Sequence, residues 1–208
     1  MTKPQQNSTS ADFSYHSDLN GGSLMVRESR VVADLLLNEV SSEEWTRAII
    51  TNNLLQKRSP NTANRFGCAI RSRLQLLDPD FWRALRDGDD ELATQISFVA
   101  ALQRNLLLVE FIEQVVRDAY AAHAEKLQVY QWLDFLDDCG NKDPRINRWQ
   151  PATKKKMGSV VFRMLKEVGY LHNARGRKLQ NMQIRPETRD LLANTTKHRL
   201  LACMEVRT

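Results

Sequence analysis

Apolar positions recur at helical spacing along most of the chain. Val31, Leu35 and Leu36 share one side of a helix near the start. Ser42, read as an N-cap before Glu43, Glu44 and Trp45, predicts a helix reaching about Gln56. Ser59 followed by Pro60 starts the next, which runs to about Leu77 and is broken by Asp78-Pro79. A short helix follows from Phe81 to Arg86. Asp87-Gly88-Asp89-Asp90 reads as a turn with a charged cap. Residues 91–123 keep a helical pattern, with Ile96, Val99, Ala100, Gln103 and Leu107 on one face and Asn105 as a point of division. Residues 106–116 are apolar nearly all round, the pattern of a central buried helix.

The pattern changes near Glu125. Leu127, Tyr130, Trp132, Leu133, Phe135 and Leu136 predict a helix that ends at Cys139-Gly140. Residues 141–149 are loop-like with one helical turn. Pro151 opens a helix to about Val168, and Gly169 ends it. Tyr170-Leu171, a polar basic stretch holding Gly176, and the alternating Leu179, Met182 and Ile184 predict a β-hairpin. Pro186 starts a final helix to about Ala193. Helix, turn, helix, hairpin, helix is the order of a winged helix-turn-helix. The expected fold is therefore mainly α. A helical bundle over residues 23–123 precedes a winged-helix-like unit with a small β-hairpin over residues 124–208. Residues 1–22, small and polar and ending in Gly21-Gly22, are expected to form a flexible arm.

Charge singles out the second unit. From residue 141 onward there are 16 Lys/Arg against five Asp/Glu, a net of +11. Residues 1–140 hold 14 against 20, a net of −6. A basic half joined to an acidic half points to a polyanionic partner for the basic half. On the helix after Pro151, about 100° per residue places Met157, Val160, Val161, Met164, Leu165 and Val168 on one face. The opposite face carries Lys155, Ser159, Phe162, Arg163 and Lys166, with Lys156 at its edge. Lys154, Lys155 and Lys156 are read as lying in the first turn. Cations there oppose the macrodipole, and phosphate contact gives them a reason. Arg175, Gly176, Arg177 and Lys178 form the expected wing tip, with Gly176 permitting a tight turn. A lysine run is ordinarily a solvated face. Its position on the candidate recognition helix, the basic tip and the charge excess favour a DNA-facing surface.

The candidate DNA-binding residues are Lys154, Lys155, Lys156, Ser159, Arg163, Lys166, Arg175, Arg177 and Lys178, with Arg145 and Arg148 in the preceding turn. A second basic group, Lys57, Arg58 and Arg65, continuing to Arg71 and Arg73, is either an extension of the DNA path or a structural surface. No set of Asn, Gln and Arg spells a base sequence, so salt-sensitive phosphate contacts to double-stranded DNA are expected.

Other chemistry finds no support. Cys68, Cys139 and Cys203 are scattered and read as reduced, core or half-buried thiols. His16, His123, His172 and His198 lack metal spacing, and there is no P-loop, GxSxG or GxGxxG. Asp89-Asp90 and Asp137-Asp138 read as helix-end charges. No enzyme activity, cofactor or metal is expected. The longest apolar run, residues 106–112, holds Glu110, and the start of the chain lacks an apolar signal core. A cytoplasmic protein without a membrane partner is the expectation.

Several segments resemble one known family. They are Leu55-Gln56-Lys57-Arg58-Ser59-Pro60-Asn61-Thr62-Ala63, Leu77-Asp78-Pro79-Asp80-Phe81-Trp82, and Trp149-Gln150-Pro151-Ala152-Thr153 onward to Val168-Gly169-Tyr170-Leu171. Together with residues 24–38 and the Cys203-Met204 ending, they resemble the BrxA family over nearly all of residues 13–206. The resemblance implies a helical DNA-binding protein of BREX bacteriophage-exclusion systems, with an N-terminal part like the NusB-type RNA-binding fold. It implies other BREX subunits as partners and leaves RNA second to DNA as a ligand. An inner-membrane label carried by some members does not fit a chain without a spanning segment. It assigns no individual DNA contacts. Two alternatives stand beside an accessory DNA binder: a winged-helix transcriptional regulator, and a protein-interaction adaptor within the defence complex.

Overall fold

The computed structural model describes residues 14–173 and 175–206. It is mainly helical: α1 (Val26–Leu37), α2 (Ser42–Thr46), α3 (Pro60–Leu74), α4 (Pro79–Asp87), α5 (Asp90–Arg104), α6 (Leu106–Phe111), α7 (Arg117–Ala121), α8 (Val129–Lys142), α9 (Pro151–Val168), α10 (Pro186–Ala193) and α11 (His198–Met204). A π-turn, Arg47–Thr51, continues α2, and another, Ile112–Val116, joins α6 to α7.

Local chemistry sets the helix ends. The cap of α2 is Ser41, one residue before the expected Ser42, because a capping box needs its glutamate three residues on. Glu44 N–H donates to Ser41 Oγ at 3.2 Å, and Ser41 N–H donates to Glu44 Oε2 at 2.8 Å. The helical run stops at Thr51, short of Gln56, where Asn53 and Gln56 adopt left-handed backbone. Ser59 and Asp89 cap α3 and α5 as expected. Asn105 ends α5 and caps α6 through Leu108 N–H, so the long pattern bends by 107° there. No single helix among the described residues is long and apolar enough to cross a membrane.

Helix α5 is the hub, packing against α1, α3, α4, α6, α9, α10 and α11. Phe111 of α6 ties in the C-terminal helices, lying edge-on to Trp132 and Phe135 of α8 and Phe162 of α9 at 5.1, 5.4 and 6.2 Å between centroids. Helix α11 went unforeseen, although Leu200, Cys203 and Met204 have the i, i+3, i+4 spacing of the stripe it buries.

Two expectations are corrected. Residues 1–13 of the expected arm lie outside the described residues, but residues 14–22 are not a free arm. Tyr15 and Leu19 are buried. Tyr15 N–H donates to Asp143 Oδ2 at 2.9 Å, and its hydroxyl donates to Glu110 Oε2 at 2.8 Å, where Lys142 also donates at 3.1 Å. Asp18 accepts from Asn105 and Arg104. The segment's polarity is therefore absorbed by partners far away in sequence.

The expected β-hairpin does not form strands. Among the described residues only two isolated antiparallel bridges occur, Leu171 with Leu179 and Lys126 with Lys178. Gly169 and Gln180 hold the ends together, but beyond Gln180 the chain leaves to meet α5. Gln95 donates to Gln183 O at 2.8 Å and accepts from Arg185 N–H at 2.9 Å. Met182 and Ile184 thus pack on the bundle and not on a partner strand.

Two outcomes test this packing. A Cβ at Gly158 would lie 2.6 Å from Trp132 Cδ1. Gly158→Ala is expected to lower stability by about 1–3 kcal/mol through overpacking, read from urea unfolding. An unchanged midpoint would mean that α8 and α9 do not meet so closely. The second concerns Asp143, held below the usual carboxylate range first by Arg145 and then by backbone N–H donors of Tyr15 and Arg145. A lowered folded-state pKa stabilises at pH above the unfolded value and ceases to do so as pH falls through the folded one. Asp143→Ala is expected to lower the urea midpoint at neutral pH, with the gap to wild type closing below about pH 4.

Candidate nucleic-acid interface

The sequence of α9 determines which of its sides is wet. Pro151 occupies the first helical position, and Gly169 takes left-handed backbone at the end. The face formed by Met157, Val160, Val161, Met164, Leu165 and Val168 is buried, as the angular reading predicts. Phe162 and Gly158 are buried with it, although Phe162 lies on the angular face opposite the stripe. Lys155, Lys156, Ser159, Arg163 and Lys166 are exposed.

Lys154 behaves differently. With Pro151 first, Lys154 closes the first turn, and Lys155 and Lys156 belong to the second, where the macrodipole has faded. The Lys154 side chain is only 15% exposed and pairs with Asp137 of α8 at 3.2 Å. Its carbonyl accepts from Trp132 Nε1 at 2.9 Å. Packing of α8 on α9 accounts for this lysine without a phosphate.

The loop after α9 is a tight basic turn. His172 N–H donates to Lys178 O at 2.9 Å, and Gln180 N–H donates to Tyr170 O at 3.0 Å. The segment before α8 joins from the other edge: Leu127 N–H donates to Arg177 O, and Leu179 N–H to Glu125 O, both at 3.0 Å. Among the described residues of the turn, Arg177 takes left-handed backbone and Gly176 does not. Gly176 is needed for close approach: its N–H donates to Asn173 Oδ1, and a Cβ would lie 2.8 Å from that oxygen. Arg177 is pinned, its Nε donating to Leu127 O at 3.0 Å and its guanidinium over the Phe162 ring at 5.7 Å. Arg175 and Lys178 are exposed.

Between α8, α9 and this loop lies a cleft of about 310 Å³. Val129, Trp132, Leu133 and Phe162 are its apolar lining, and Lys155, Arg163, Arg175 and Arg177 its cationic lining. No carboxylate is among its lining residues. Five of the expected residues, Lys155, Ser159, Arg163, Arg175 and Arg177, therefore meet at one place. The Ser159 hydroxyl donates back to Lys155 O at 3.1 Å. In the turn before α9, Arg148 is exposed, while Arg145 Nε donates to buried Asp143 at 2.8 Å and has a structural task.

The second basic group is a separate patch. Lys57 pairs with Glu28 at 2.6 Å and lies over Phe66, as does Arg65. Arg58 precedes the first turn of α3, so it shares no helical register with Arg65. Arg71 stacks on Trp45, and Arg73 is buried, donating to Ser23 O at 2.9 Å. Residues 22–24 run between this patch and α9: Leu24 N–H donates to Glu167 at 3.0 Å, and Gly22 faces the Phe66 ring.

Three features escaped the sequence reading. Val129 and Tyr130 are 49% and 60% exposed, so Tyr130 does not share the buried face of Trp132, Phe135 and Leu136. A groove of about 520 Å³ between α7 and α8 carries Asp118, Asp134 and Asp138; the i, i+4 spacing of the last two was the available signal. Cys68 is exposed, whereas burial raises the thiol pKa of Cys139 to about 11 and of Cys203 to about 12. Among the described residues no cluster could hold a metal ion.

A sequence model of the BrxA family matches residues 14–196. The protein named BREX protein BrxA from Paramagnetospirillum magneticum is 36% identical over 196 residues, covering 94% of this chain and 98% of its own. The protein of the same name from Escherichia coli (strain HS) is 34% identical over 194 residues, covering 93% and 91%. The crystal structure of an uncharacterized protein from Magnetospirillum magneticum is also similar, with a TM-score of 0.85 at 34% identity over 92% of this chain and 98% of that one. This chain belongs to the BrxA family.

Proposed function

We propose that this protein is a non-catalytic DNA-binding accessory component of a BREX phage-defence system, gripping duplex DNA mainly by its phosphates through α9 and the 172–178 loop. The observation that carries this reading is the cleft whose lining includes Lys155, Arg163, Arg175 and Arg177 and no acidic residue. Lys156, Lys166 and Lys178 extend the same face as exposed cations. Cations concentrated without acids at one place repel one another, and a polyanion relieves that repulsion. The chain order supports the reading as well. The order α8, the Pro144–Arg148 turn, α9 and the basic loop keeps the helix-turn-helix sequence of elements, although the loop forms no strands.

A second reading, an adaptor that docks a basic segment of another BREX subunit, draws on the groove bearing Asp118, Asp134 and Asp138. It expects phage exclusion to survive neutralisation of the cationic cleft.

Fluorescence anisotropy of labelled duplex across a salt series separates them. Each phosphate-neutralising cation contributes about 0.9 to the slope of log K against log salt. The triple variant Lys155→Ala/Arg163→Ala/Arg175→Ala is expected to lose affinity and to flatten the slope by roughly 2.7. Wild-type behaviour in that variant would rule the cleft out as the DNA-binding surface. Lys154→Gln is expected to leave the slope unchanged, because Asp137 already neutralises that lysine; a flattened slope would show that the ion pair opens onto DNA. Competition with duplex RNA of the same sequence reports whether the ligand is DNA.

A further inference from the structure

The cationic cleft also has apolar lining residues that phosphate contacts leave unused. Val129, Trp132 and Leu133 line it together with Lys155, Arg163 and Arg175, and Val129 is half exposed, with the exposed Tyr130 next to it in the chain. Bases within a duplex cover one another's faces and present only their edges. A base out of the stack presents its whole face, and proteins take it up on apolar side chains or guanidinium planes next to cations that hold the flanking phosphates.

Arg177 supplies such a plane. Its Nε is bonded to Leu127 O, and the Phe162 ring lies behind it, so the guanidinium is oriented before any ligand arrives. A cavity of about 310 Å³ sits at the small end of ligand pockets, the scale of one heterocycle and not of a docked helix. Every charged residue that lines it is positive. An acidic peptide shares that complementarity but leaves a preformed stacking plane without a purpose.

We propose that the cleft receives one unstacked nucleobase while Lys155, Arg163 and Arg175 hold the adjoining phosphates, so that DNA carrying an unpaired nucleotide is the preferred ligand. This rests on the DNA-binding reading above and names its substrate class.

The test compares two labelled DNAs of equal length and sequence, one fully paired and one with a single unpaired 2-aminopurine. Wild-type protein is expected to bind the second about tenfold more tightly, with a rise in 2-aminopurine emission as the base leaves the stack. Val129→Ser/Tyr130→Ala removes apolar surface while keeping every cation. In that variant the two affinities are expected to converge, and its circular dichroism melt reports that the fold is retained. Equal wild-type affinities, or a preference that survives in the variant, overturn the base-pocket proposal and leave DNA binding standing. Binding of neither DNA overturns both. If an acidic leucine-bearing peptide then binds in their place, the cleft is a protein-docking site.

Discussion

From Leu92 to Leu102 every residue of α5 except Thr94 is buried, including Gln95 and Ser97. A helix enclosed in this way needs partners around its whole circumference. It obtains them from both ends of the chain, α1, α3 and α4 from one and α9, α10 and α11 from the other. Each large apolar side chain so enclosed contributes on the order of 1.5–3 kcal/mol. The acidic and basic halves are consequently joined by a shared core, and the orientation of α9 follows from its seat on α5 and α8.

That seat decides which chemistry α9 presents. Trp132 pushes its ring against the bare backbone at Gly158 and donates to Lys154 O. With the helix locked at that rotation, Phe162 turns inward beneath Arg177, and Lys155, Ser159 and Arg163 turn outward. The loop is set by the same contacts, since its bonds run to Glu125 and Leu127 at the foot of α8.

Basic residues divide into two kinds. Lys154, Lys57 and Arg73 meet carboxylates or main-chain carbonyls of other elements, which offset their desolvation, while the exposed Arg145 is held by Asp143 at the start of its own turn. Lys155, Lys156, Arg163, Lys166 and Arg175 stay in water on one side of α9 and its loop. An overall excess of positive charge says nothing about this division. Asp137 on the neighbouring helix, the buried Asp143 and the carbonyls of residues 22–23 settle it.

The helices themselves were legible wherever local chemistry governs. The Ser59-Pro60 start, the charged cap at Asp89, the division at Asn105, the Gly169 stop and the buried stripe of α9 all follow from residues within one or two turns. Kinship with the BrxA family was legible too, because it rests on linear motifs. Tertiary structure alone decided the remainder. Residues 14–22 look like a soluble tail until Glu110 and Asp143, about a hundred positions away, accept their donors. The alternation after Leu179 looks like a strand until Gln95 draws the chain onto α5. The lysine run looks uniform until one helix rotation gives Lys154 to Asp137 and leaves Lys155 and Lys156 to solvent. In each case the deciding partner is distant along the chain, and a local pattern carries no information about a contact that only folding creates.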